Sequence, residues 1–227
     1  MLKIFKTLCV LLLLISSLDV LAHGVDDNTQ KFLSDLDGPA IIPLFYIGAK
    51  HMVTGYDHLL FLFGVIFFLF KPKDILLYVT FFTIGHSVTL IFGVLFKIQV
   101  NAYLIDAIIG LSIVYKAFEN LGGFKTLFSV QPNTKVAVLI FGLFHGFGLA
   151  TKLQEFSLPE NGLLSNLLAF NVGVEFGQFF ALAFILIAIS YWRQFSSFQR
   201  WSNFSNTLLM SFGFMLVGFQ LTGYVIN

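Results

Sequence analysis

Cysteine is nearly missing from this chain: Cys9 is the only one in 227 residues. One thiol excludes a disulfide framework and any thiolate-built metal centre, so metal chemistry here must draw on His, Asp, Glu, Asn or backbone oxygen. Such donors favour borderline or hard divalent cations over thiophilic copper(I). Charge is scarce too. Thirteen basic and 12 acidic residues make up 11% of the chain, against about a quarter in soluble domains. The net charge of +1 offers no basic field for nucleic acid and no acidic tail. A nucleophile-elbow motif and an H-E-x-x-H zinc motif are both absent.

Apolar sequence fills the space instead. Hydrophobic residues form 57% of the chain, 30 of them Phe, and the mean hydropathy is +0.88. This composition describes an all-α, polytopic membrane helix bundle, in contact with membrane lipid. Lys3 and Lys6, the apolar run from Cys9 to Ile15 and Val20-Leu21-Ala22 read as a signal peptide over residues 1–22. Cleavage after Ala22 places His23 at the mature N-terminus, where its amine and imidazole could chelate a metal. Residues 23–40 then form a polar exoplasmic segment, and residues 41–227 the transmembrane domain.

Six apolar runs follow, at 41–70, 75–96, 102–121, 135–152, 163–192 and 205–225, each near the roughly 20 residues a hydrocarbon core requires. The first and fifth are longer than needed, so they tilt, break or begin outside the bilayer. Residues 195–204 read as a short interfacial stretch. Lys71, Lys73, Lys125, Lys135, Arg193 and Arg200 fall on one side of this topology, and only Lys97 and Lys152 on the other. The positive-inside bias puts the mature N-terminus outside, which fits a bacterial inner (cytoplasmic) membrane.

The informative residues are polar ones inside those runs. At a 1.5 Å rise, His58, His86, Asp106, His145, Asn171 and Glu175 share a layer about 8 to 18 Å below the outer boundary. His51 lies at its mouth, and Asp57 beside His58. His51 and His58 are seven apart, and Asn171, Glu175 and Gln178 step by four then three, so each set shares a helix face. By sequence the layer holds three carboxylates (Asp57, Asp106, Glu175) and no Lys or Arg. An unpaired charge in lipid costs roughly 3 kcal/mol on insertion scales. Either the acids stay protonated or a divalent cation (nickel, cobalt or zinc) sits among them, with imidazole and carboxylate as ligands. The expected ligands are His51, Asp57, His58, His86, His145 and Glu175. Ser87, Asp106, Asn171 and Gln178 are expected to support them from a second layer. Ser87 is no catalytic partner for His86, because adjacent helical residues point about 100° apart. Glu119 and Asn120, at the far end of the third run, read as an interfacial cap or exit feature.

The run from His51 through Thr54-Gly55-Tyr56-Asp57-His58 to Phe61 resembles the signature of the HupE/UreJ family. The resemblance continues in Phe82-Thr83-Ile84-Gly85-His86-Ser87, Glu119-Asn120-Leu121, residues 144–150 and residues 170–178. Met52 stands where the shorter members often carry Pro, so the chain looks closer to the second, divergent branch. What the resemblance implies is a six-span bundle after a signal peptide, nickel or cobalt permeation, and metal contact by His51, Asp57 and His58. It also implies kinship with the accessory proteins of metalloenzymes such as hydrogenase and urease. Three uses of the site stay open: a divalent-metal permease, an intramembrane zinc-dependent hydrolase acting on a lipid or peptide from the outer side, and a metal sensor or chaperone.

Overall fold

The computed structural model describes residue 31 and residues 37–155 and 160–226. The signal peptide, His23 and most of the exoplasmic segment lie outside the described residues. Eight helices follow in chain order: α1 (Ile41–Thr54), α2 (Tyr56–Ile66), α3 (Pro72–Leu95), α4 (Ala102–Asn120), α5 (Gly123–Phe128), α6 (Thr134–Glu155), α7 (Leu163–Trp192) and α8 (Ser196–Ile226), with no strand among the described residues. Local chemistry explains several ends. Pro72 opens α3, where its missing N–H costs nothing. The Asn101 side chain accepts from Leu104 N at 3.2 Å to cap α4. Gly162, at φ 78°, turns the chain into α7.

Among the described residues, four helices (α3, α6, α7 and α8) are long and apolar enough to cross a membrane. The fourth helix spans 19 residues but carries Asp106, Lys116 and Glu119. The first apolar run is broken. It forms two short helices of 14 and 11 residues, meeting at Gly55 in an extended conformation (φ −72°, ψ 100°). Glycine is required there: a Cβ would lie 2.8 Å from His58 Nδ1 and 3.0 Å from the His51 carbonyl. The fifth run, by contrast, is one continuous 30-residue helix. Residues 196–204, expected as part of an interfacial stretch, are the opening turns of α8.

Helix contact is concentrated in three pairs: α1 with α7, α3 with α6, and α4 with α8. Glycine makes each possible. In the first, a methyl group on Gly48 would run into the Phe170 carbonyl, and one on Gly173 into that of Phe45. In the second, Gly142 and Gly146 lie against the Phe82 and His86 carbonyls; in the third, Gly110 and Gly213 face each other. Lipid tails are as apolar as Leu, so close van der Waals packing rather than hydrophobic burial holds such pairs. The short α2 touches α4, α7 and α8. Two apolar clusters fill the interior. One gathers Leu44, Met52, Leu90, Leu153 and Phe170, the other Phe61, Ile66, Phe67, Ile113, Val138 and Phe198.

The two kinds of glycine separate in a stability assay. Gly173→Ala should destabilise the bundle by about 1–3 kcal/mol through overpacking. Gly218→Ala, where an added Cβ meets nothing within 4 Å, should be neutral or slightly stabilising. Thermal unfolding in detergent checks the contrast.

Candidate metal site

The helix break at Gly55 sets up the site. It places the first turn of α2, carrying Asp57 and His58, inside the bundle. There the positive end of the helix dipole favours the carboxylate. His58 Nδ1 lies 3.1 Å from Asp57 Oδ1. With the proton on Nδ1, donated to Asp57, Nε2 is the ligand atom, the arrangement by which carboxylates orient metal-binding imidazoles.

His145 approaches from α6, its ring centroid 5.0 Å from that of His58 and edge-on to it. Ser112 Oγ, which donates to the Ile109 carbonyl at 2.6 Å, lies 3.5 Å from His145 Nε2. One ligand atom each from Asp57, His58 and His145 falls within 4.8 Å of the others, and all three residues are buried. Two nitrogens and an oxygen are the kinds of donor a nickel, cobalt or zinc ion takes.

Two more histidines flank the trio. The His51 ring is 5.1 Å from His58, edge-on, and only half-buried. The His86 ring is 6.4 Å from His58, buried, stacked on Phe82 and beside the Asn171 side chain. Aromatic rings close one side of the group. Phe82 lies 5.0 Å from the His145 ring, and Phe61 packs on His145, Phe82 and Phe141.

The charge balance differs from the sequence expectation in two ways. Lys152 Nζ reaches Asp106 Oδ2 at 3.1 Å, both side chains largely buried, so one expected lone acid has an ammonium. Lys152 reads by sequence as an outer loop charge, yet it lies seven residues past His145 on α6, on the same helical face. Glu175 is exposed, while Asn171 and Gln178 are buried. Seven residues return a helix to within about 20°, but Glu175 is turned about 40° from Asn171 in the opposite sense. That turn carries it away from Val174 and Gly177 on the packed side. Asp57 is the one carboxylate left in the close group.

Glu119 and Asn120 form a separate buried network. Lys116 Nζ lies 2.8 Å from Glu119 Oε2, whose other oxygen accepts from Gln131 at 3.2 Å and from Thr134. Asn120 Nδ2 donates to the Gly64 carbonyl and to Asn206 Oδ1, each at 2.8 Å. Sequence reasoning missed both Lys116–Glu119 pairing and Ser112. The spacing of three between Lys116 and Glu119 was the available signal for the first; Ser112 carried none beyond its place in an apolar run.

A helical protein with helices long and apolar enough to cross a membrane and a buried His/Asp group is thus the class. The family model described as HupE / UreJ protein matches residues 27–227, nearly the whole chain, and the chain belongs to this family. No curated protein and no solved structure matches it.

Replacing Lys152 takes from the buried Asp106 the ammonium that faces it. Lys152→Met should lower stability by about 3 kcal/mol, and adding Asp106→Asn should restore most of it. A double-mutant cycle by detergent unfolding reads the coupling.

Proposed function

We propose that the protein is a divalent-metal permease of the nickel/cobalt type, whose cargo is held by Asp57, His58 and His145. The observation that carries this reading is the convergence of their three donor atoms at a helix break. Discontinuous helices of this kind supply ion sites in secondary transporters. The association of the HupE/UreJ family with nickel and cobalt transport supports it. In this reading the chain crosses a bacterial inner membrane six times, α1 and α2 together forming one broken crossing, with the mature N-terminus outside.

The half-buried His51 receives the ion and passes it to His58 over the short distance between their rings. His86 is a further imidazole next to the trio, available as the coordination shell rearranges. Ser112 and Asn171 hold the rings of His145 and His86 in place. Asp57 supplies the negative charge that offsets a dication in a low-dielectric interior. The hydrolase reading fits less well. Asp57 is engaged with His58, and the other acid suited to be a general base, Glu175, is exposed. A zinc-bound water would therefore lack a dedicated proton acceptor.

Metal content and uptake together test this. Purified wild type should bind about one exchangeable nickel or cobalt per chain, and affinity should fall more than about 100-fold in His58→Ala or His145→Ala. Cells expressing wild type should accumulate the metal, and cells expressing either variant should not. Chelator-resistant zinc with no change in cellular metal would decide for the hydrolase instead.

A further inference from the structure

The Asp57–His58–His145 group has an aromatic wall on one side. Phe61, Phe82 and Phe141 meet there ring to ring, with the Ser112 hydroxyl beside His145 as the polar group next to them. A second set of polar side chains runs beside that wall, along the contact of α3 with α7. It has two rungs. His86 faces Asn171, and one turn further Thr83 Oγ1 donates to Gln178 Oε1 at 3.0 Å. Thr83 follows Phe82 in the chain, so the seam reaches the depth of the wall. Glu175 lies on α7 between the two rungs, exposed at the edge.

Three observations indicate that this seam takes a ligand. Asn171 and Gln178 are more than nine-tenths buried, yet Gln178 Nε2 and Ser87 Oγ have no hydrogen-bond partner, and Asn171 Oδ1 and His86 Nε2 have none beyond the contact between these two residues. A buried polar group left unsatisfied is costly, so this set calls for water or a polar ligand. The set offers both donors and acceptors, the chemistry needed to bind water molecules that themselves coordinate a cation. Finally, α3 and α7 belong to different glycine-packed pairs and touch each other far less than either touches its own partner. The bundle can part along this seam without breaking a glycine-packed pair.

We infer that the α3–α7 seam is a second, hydrated cation station, lined by Ser87, Asn171, Gln178 and the edge carboxylate Glu175, by which a divalent ion bypasses the phenylalanine wall. This inference rests on the permease reading. It assigns that permease a path between helix pairs rather than through the bundle centre. Asn171 and Gln178 hold the ion's water ligands, and Glu175 balances its charge at the rim.

The lone native cysteine makes the seam testable by thiol chemistry. In a Cys9→Ser background, single cysteines replace Ser87, Glu175 or Gln178, with lipid-facing controls at Val172 and Phe179, both exposed on α7. The probe is a positively charged methanethiosulfonate reagent, applied to proteoliposomes with and without nickel. Each variant is first required to retain nickel at the central site, which establishes its fold. Seam cysteines should react about ten-fold faster than the controls, because a thiol in hydrocarbon forms almost no thiolate, and nickel should slow them. Reaction no faster than at Val172 and Phe179, or rates indifferent to nickel, would overturn the seam even if uptake is normal. Fast, nickel-protected labelling without any metal uptake would instead overturn the permease reading and leave the hydrated station standing.

Discussion

A helix interrupted inside an apolar bundle must satisfy the backbone groups it frees, and the rest of this structure is arranged around that requirement. The last carbonyls of α1 and the first N–H groups of α2 need partners from within the chain wherever water is excluded. The Gly55 N–H bonds back to the His51 carbonyl at 2.9 Å, closing the end of α1. Asp57 answers the exposed dipole of α2 from its first turn. At the far end of α2, Arg193 Nη2 donates to the Ile66 and Phe67 carbonyls at 2.6 and 2.7 Å while its guanidinium lies 4.2 Å over the Phe70 ring. The half-helix that presents Asp57 and His58 is thus fixed at both ends, and His145 is brought to it by a different glycine-packed pair.

This arrangement separates two kinds of polar burial. The Lys116–Glu119–Thr134 and Asn120–Asn206 bonds form satisfied contacts that tie α4 to the start of α6, to α2 and to α8. Such contacts rigidify a fold and leave little capacity for a guest. The His86–Asn171–Gln178 side of the interior is the reverse, with donors and acceptors still to be matched. The contrast between the two layers, more than the number of polar residues in either, marks where a ligand belongs.

The helical class and the depth agreement of His58, His86 and His145 were legible because hydropathy and a fixed rise per residue carry that information along one dimension. Rotation was not. Asn171, Glu175 and Gln178 satisfy the same stepping rule, yet only the position of α1 against Gly173 and Gly177 decides which of them turns inward. Charge pairing was lost for a similar reason. Lys152 belongs with Asp106 only once α6 is known to lie along α4. The break at Gly55 was foreshadowed by excess length alone, since a glycine inside an apolar run is equally a packing glycine.

The three glycine-packed pairs also bear on how the chain is made. Each joins helices far apart in sequence: α1 must wait for α7, and α4 for α8. The Asn166 side chain, which accepts from the Ala40 N–H and donates to the Gly38 carbonyl, completes the start of α1 only after most of the chain has been synthesised. During synthesis, which proceeds from the N-terminus, the half-helix bearing Asp57 and His58 is therefore made before the partners that later enclose it. Biogenesis leaves Asp57 and His58 uncovered through most of synthesis, so the yield of folded protein depends on what shields these two side chains until the final helices arrive.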